Sequence, residues 1–351
     1  MSIEILAGIV VFCSLAIFGA VWRRPGHSRV DFAQLVAELA DLQADLEEHR
    51  CESRARSAAL ERQIAELVAQ TPRRWAGRYE LIHLLGEGGV GRVWFAKDLQ
   101  LSRAVAVKIL RSELGDDERT RRRFRREAQT AAQIIHPNVV QVYDYGEHDG
   151  HLYLVMQRLR GVTLRDVMPQ SAPATEDMTR HVAADVASAL VESHAVKLVH
   201  RDIKPENICK ERDRYVVVDF GLAFVASPTS EMSRATDDGV SGTPHYMSPE
   251  QFREQELDPK ADIYALGCVL YELLTGRPPF ERRSWVAMGQ DHTTSSPDMV
   301  GVPHEWSGLI AAMLQKNPVD RPTAVQVLEA IEVADDDIDL RNSRDTLTEF
   351  S

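Results

Sequence analysis

The chain has 351 residues, 44% hydrophobic and 27% charged, which is ample for one large or two ordinary domains with a buried core and too apolar for a disordered protein. Its net charge of −12 argues against nucleic acid as the main partner, because phosphate backbones need a basic face. Four cysteines, Cys13, Cys51, Cys209 and Cys268, form no C-x-x-C pair, so neither a disulfide framework nor a zinc site is indicated, and a reducing compartment fits best.

From Ile5 to Trp22 the chain carries no charge over 18 residues, the lower edge of what a helix needs to cross the hydrocarbon core. Glu4 precedes the run, and Arg23, Arg24 and Arg29 follow it, so the positive-inside rule puts residues 1–4 outside and everything after 22 in the cytoplasm. The expectation is a single-pass protein of the cell (inner) membrane; a cleaved signal peptide fits less well, since the start lacks a basic segment and Val21-Trp22 is a bulky cleavage site.

Residues 23–77 read as a cytoplasmic stalk and linker. After the Pro25-Gly26 break, Phe32, Leu35, Leu39, Leu42 and Leu46 recur at three-four spacing, and Leu60, Ile64 and Leu67 resume the pattern beyond a polar stretch at 50–56. A coiled coil that makes a homodimer through residues 30–70 and a lone spacer helix both satisfy this pattern. Thr71-Pro72 ends either helix.

A strand-like run from Tyr79 leads into Gly86-Glu87-Gly88-Gly89-Val90-Gly91-Arg92-Val93 and then a second strand. Glycines at this spacing let backbone approach phosphate oxygens, but the pattern is shared with dinucleotide folds. Those folds place a helix directly after the glycines, whereas here β-like runs at 93–96 and 104–110 follow, the latter carrying Lys108. Farther on stand His200-Arg201-Asp202-Ile203-Lys204-Pro205-Glu206-Asn207, then Asp219-Phe220-Gly221, Ser248-Pro249-Glu250 and Asp320-Arg321-Pro322, in this order.

On these residues the segment 78–333 resembles the eukaryotic-like (bacterial-type) serine/threonine protein kinases. The resemblance implies an α+β fold of two lobes, a small five-stranded antiparallel lobe with one helix and a larger helical lobe, with ATP between them. It implies ATP contacts from Leu85, Gly86, Glu87, Gly88, Gly89, Val90, Gly91, Arg92, Val93 and Ala106. It further implies a phosphate-binding Lys108 paired with Glu127, the latter on a helix whose apolar face is Phe124, Ala128, Ala131, Ala132 and Ile135. The hinge would be Met156, Gln157 and Leu159, with Gln157 where relatives usually carry an acid. Asp202 would orient the attacking hydroxyl and accept its proton, and Lys204 would steady the γ-phosphate. Asn207 and Asp219 would hold Mg²⁺, with Mn²⁺ as the alternative.

Lys204, with Thr243 in Gly242-Thr243-Pro244, is similar to the branch that acts on serine and threonine of protein substrates. The activation segment would run from Asp219 to Glu250, with Thr236 and Ser241 among its acceptors for autophosphorylation and Asp237-Asp238 as fixed negative charge. Ser248, where alanine is common, is a mild change. Glu250 would pair with Arg321, and Asp262 would brace the catalytic loop. A relative that only binds would lack one of Lys108, Glu127, Asp202, Asn207 or Asp219; all five are present. The arginine-rich run 119–126 reads as a solvated helix face, with a phosphate, an anionic lipid or an acidic peptide as the alternative partner, and residues 334–351 as an acidic, disordered tail.

Overall fold

The computed structural model describes residues 73–112, 118–169, 172–220, 244–282 and 284–333. The apolar run 5–22, the stalk through residue 72, residues 221–243 with Thr236, Ser241 and Thr243, and the tail from residue 334 lie outside the described residues. Among the described residues no helix is long and apolar enough to cross a membrane.

The small lobe is one antiparallel sheet in the order β1-β2-β3-β4-β6-β5, made of β1 (Arg73–Trp75), β2 (Tyr79–Glu87), β3 (Gly91–Asp98), β4 (Arg103–Leu110), β5 (Val142–His148) and β6 (His151–Gln157). It has six strands where five were expected. The sheet takes in Arg73–Trp75, ahead of the start expected at Arg78, because those residues pair with Leu81 through Tyr79 at the sheet edge.

The sheet curls until its edges meet. Arg78 makes two bonds to Asp98 (2.9 and 2.7 Å) and one to Asp144 (3.1 Å), and the Tyr79 hydroxyl donates to Asp144 at 2.6 Å. The Arg78 guanidinium holds the Asp98 carboxyl down at about 2. Inside the curl, Tyr79, Leu81, Val105, Val107 and Val155 form a small core of their own, closed by Trp75 lying edge-on to His148 at 4.9 Å.

Helix α1 (Glu118–Ala131) packs on this sheet through Phe124, Ala128 and Ala131. The apolar periodicity suggested that Ile135 continues this face, but the helix stops at Ala131. Ile134 then turns inward at 4% exposure while Ile135 is 85% exposed. Pro137 disfavours helical backbone at His136, so the last apolar pair falls in a turn. Arg119, Arg122, Arg123, Arg125 and Arg126 are exposed, as a solvated helix face requires.

A short hairpin of β8 (Ile208–Glu211) and β9 (Arg214–Val217), joined by β7 (Val162–Thr163), sits at the lobe junction. Val140 N–H donates to Val217 O at 3.0 Å and Val217 N–H to Asn138 O at 2.8 Å, stitching the loop after α1 to the strand that ends just before Asp219.

The large lobe follows α2 (Leu164–Val167) and centres on α3 (Glu176–Ala195) and α5 (Lys260–Thr275). Every residue of α5 from Ala261 to Leu274 is buried, as its near-continuous apolar run dictates. Gly276, at φ +76°, supplies the left-handed turn that ends it. Around this centre lie α4 (Pro249–Phe252), α6 (Trp285–Thr294), α7 (His304–Met313) and a helical segment through 324–333.

Candidate active site

The glycine turn joins β2 to β3. A Cβ added at Gly86 or Gly88 would meet nothing within 4 Å, so these two positions present bare backbone to open space. Gly91 is different: its added Cβ would lie 2.2 Å from Ile109 O, so the close passage of β4 by itself requires a glycine here. Glu87 and Arg92 flank the turn and pair with each other at 3.0 Å. Register places Val93 opposite Lys108 and Ala106 opposite Met156, while Val93 and Leu159 pack on the main core beside buried Ala106 and Met156. Leu85, 41% exposed, completes the apolar set on the turn's approach. Gln157 donates its backbone N–H to Gln141 O at 2.8 Å, which anchors the start of the interlobe connection by main chain alone.

The catalytic loop folds onto itself through bonds among near neighbours. Lys204 Nζ donates to Asp202 Oδ2 at 2.7 Å, and Asn207 Nδ2 donates to the same oxygen at 2.9 Å and to Asp202 O at 2.7 Å. Asp202 is thus oriented by two donors on one oxygen, while 41% of its side chain stays open to solvent. His200, which the sequence reading left without a role, is fully buried. Its Nε2 donates to Val218 O at 2.8 Å and its Nδ1 accepts from Asp202 N–H at 3.2 Å, and the ring lies edge-on to Phe220 at 4.7 Å.

Asp262 does brace the loop: Oδ2 accepts from His200 N–H at 2.8 Å and Oδ1 from Arg201 N–H at 2.7 Å. That support is needed, because Arg201 and Asp219 take left-handed φ values of +69° and +65°, strained for residues with a side chain. Arg321 and Glu250 form the expected two-pronged pair at 2.6 and 2.8 Å.

The pairing of Lys108 with Glu127 is not what the structure contains. Lys108 Nζ lies 2.8 Å from Asp219 Oδ2, and Glu127 Oε1 accepts instead from Arg201 Nη1 at 2.8 Å. Lys108, nearly buried, takes the carboxylate that lies at its own level of the cleft, and Glu127 takes the other nearby cation. Burial pushes the Glu127 carboxyl up, against the opposing pull of Arg201. Burial raises Asp219 too, but there the Lys108 charge and hydrogen bond win, and its carboxyl is held below the ordinary range.

A second cluster beside the loop carried no sequence signal. Arg165 donates to Glu206 at 2.9 Å and Glu272 at 2.8 Å, and Tyr246 bonds to both Arg165 and Glu272. Four residues from four separate segments meet there, so only the fold could have found them.

The donor set fits a divalent cation on a triphosphate. Among the described residues no cluster of three or more His, Cys, Asp or Glu could hold a metal by itself. Asp219 already binds a cation, the Lys108 ammonium, and the Asn207 amide, with its nitrogen on Asp202, is left with its oxygen as the coordinating atom. One carboxylate and one amide oxygen are hard donors of the kind that suit a divalent cation.

A curled β lobe over a helical lobe, with Lys108 and Asp219 paired and Asp202 and Asn207 paired at the junction, defines a two-lobed domain of the protein kinase type. Residues 79–331 match the protein kinase domain family, and the chain belongs to that family. It is 39% identical over 269 residues to the serine/threonine-protein kinase pkn3 of Myxococcus xanthus, which covers 73% of this chain and 49% of pkn3. It is 42% identical over 261 residues to PknB of Mycobacterium tuberculosis (72% and 42%) and 38% over 284 residues to PrkC of Bacillus subtilis (79% and 43%). The chain therefore spans about half the length of the curated relatives it matches. Among solved structures, the kinase domain of Mycobacterium tuberculosis PknI superposes with a TM-score of 0.60 at 26% identity, covering 75% of this chain and 97% of that domain.

Proposed function

We propose that this chain transfers the γ-phosphoryl group of ATP to serine or threonine hydroxyls of proteins, and that it phosphorylates its own activation segment. The observation that carries the reading is Asp202, oriented by Lys204 and Asn207 and placed in one cleft with Lys108 and Asp219. With Oδ2 saturated by two donors, Asp202 Oδ1 is the oxygen that orients the substrate hydroxyl and takes its proton as the new O–P bond forms and the bond to ADP breaks. Lys204 and Lys108 offset charge on the transferring group and on the remaining phosphates. Mg²⁺, once bound by Asn207 and Asp219, supplies charge neutralisation on the phosphate oxygens. If phosphate oxygens took the Lys108 ammonium, the Asp219 carboxylate now paired with it would be free to hold the metal.

Residues 5–22 anchor the protein in the cell membrane with residues 23–351 in the cytoplasm, a reading supported by the uncharged run and the arginines after it. The heptad-like spacing within 30–70 supports self-association. The test is ³²P transfer from ATP with Mg²⁺ to the chain itself and to a basic protein, with phosphoamino-acid analysis, comparing wild type with Asp202→Asn. Label on serine or threonine in the wild type alone upholds the activity; equal labelling, or none with ATP bound, overturns it. Carbonate extraction of membranes, and protease protection of the catalytic domain in spheroplasts, decide anchoring and sidedness.

A further inference from the structure

The peptide unit that joins Arg201 to Asp202 is held at both ends. Its N–H, that of Asp202, donates to His200 Nδ1 at 3.2 Å, while Asp262 fixes the two peptide units before it through His200 N–H and Arg201 N–H. The carbonyl of Arg201 accepts a hydrogen bond from Gln251 Nε2 at 2.8 Å, across 50 residues of sequence. Gln251 belongs to α4, directly after Glu250 at the end of the activation segment. Its amide is in turn oriented by Ser248: both Ser248 N–H (2.9 Å) and Ser248 Oγ–H (3.1 Å) donate to Gln251 Oε1. Ser248 is fully buried, and with two donors fixed on Oε1 the amide can present only its NH₂ to the catalytic loop.

From this we infer that Gln251 is a positioning residue for phosphoryl transfer, with Ser248 setting its amide. The inference rests on the kinase reading above. Arg201 sits at φ +69°, a conformation its side chain disfavours, so the orientation of the following peptide plane depends on what holds its two ends. That plane carries Asp202. Ser248 therefore supplies a hydroxyl donor that alanine lacks, and the end of the activation segment bears on Asp202 through the Arg201 carbonyl. Gln251 touches no reacting atom and acts through the Arg201 carbonyl.

Gln251→Glu separates this role from a merely structural one. A carboxylate still accepts from Ser248 N–H and Oγ–H, as the S-x-x-E capping box does, so the start of α4 is preserved. It cannot donate to Arg201 O, and it sets oxygen against oxygen. Steady-state kinetics of the full chain should show kcat lower by about 10-fold or more, KM for ATP within about 2-fold, and an unfolding midpoint within about 2 °C of wild type. Ser248→Ala, which removes one of the two bonds that orient the amide, should give a smaller fall in kcat of about 2- to 5-fold. Amide hydrogen exchange across residues 200–203 should be faster in Gln251→Glu.

A Gln251→Glu enzyme with kcat within about 2-fold of wild type overturns the inference, and so does a loss that only tracks the folded fraction. If the wild type transfers no phosphate, the kinase reading has failed. The exchange readout then decides this inference alone: unchanged protection at 200–203 overturns it, and faster exchange upholds the brace.

Discussion

Replacing Arg321 with methionine should cost a large share of the domain's stability. Its guanidinium, 2% exposed, uses all five N–H groups: Nη1 on Glu250 Oε1 and Lys260 O, Nη2 on Glu250 Oε2 and Lys316 O, and Nε on Gln315 O, between 2.6 and 3.1 Å. Methionine fills similar volume but strands the Glu250 carboxylate at 3% exposure, together with three carbonyls. Breaking one side of a buried pair costs about 3–5 kcal/mol, a third or more of the roughly 5–15 kcal/mol that holds a domain together. Removing both charges, as in Glu250→Leu with Arg321→Met, abolishes the stranded charge and should recover about 2 kcal/mol or more of that loss. Urea unfolding followed by tryptophan emission measures all three variants. A single-mutant loss below about 1 kcal/mol, or a double mutant less stable than Arg321→Met, would refute the claim that the pair holds α4 to the large lobe through a desolvated charge.

Gly88→Ala should leave the unfolding midpoint within about 1 °C and raise KM for ATP several-fold, whereas Gly91→Ala, driven against Ile109 O, should cost about 2–3 kcal/mol of stability; thermal melts beside ATP titrations separate the two. Asp202→Asn should keep the fold and ATP affinity and lower kcat by roughly 10²- to 10⁴-fold, read by single-turnover transfer. His292 is fully buried, with Nδ1 on the Tyr264 hydroxyl at 2.9 Å, and burial, aided by the Lys316 charge, pushes its pKa down to about 3. Since the unfolded imidazole takes its proton near 6.5, stability is complete above that pH and falls as pH drops from 6.5 towards 3. The loss attributable to this group between pH 7 and 5 is about 2 kcal/mol, and His292→Phe should flatten the urea midpoint's pH dependence by that amount.

The catalytic loop was legible in the sequence because its contacts are local. Asp202, Lys204 and Asn207 bond to one another within five residues, so the spacing alone encodes most of the geometry. The glycine turn was legible as a motif, but the separate duties of Gly88 and Gly91 were not, since the second depends on where β4 passes. Strand β1 escaped notice because three residues carry no periodicity, and its reason to exist is an edge pairing and a ring contact between Trp75 and His148. Ile135 misled because helical spacing outlasted the helix.

What the sequence by itself determined is the set of candidate chemical groups, since a catalytic loop and a glycine turn need particular residue types at fixed short separations. Which charge pairs with which was decided only by the tertiary structure. Lys108 and Asp219 are 111 positions apart in the chain, Arg201 and Glu127 are 74 apart, and Gln251 reaches Arg201 across 50. A cation in a buried cleft takes the carboxylate that folding brings nearest, and no spacing along the chain fixes that distance.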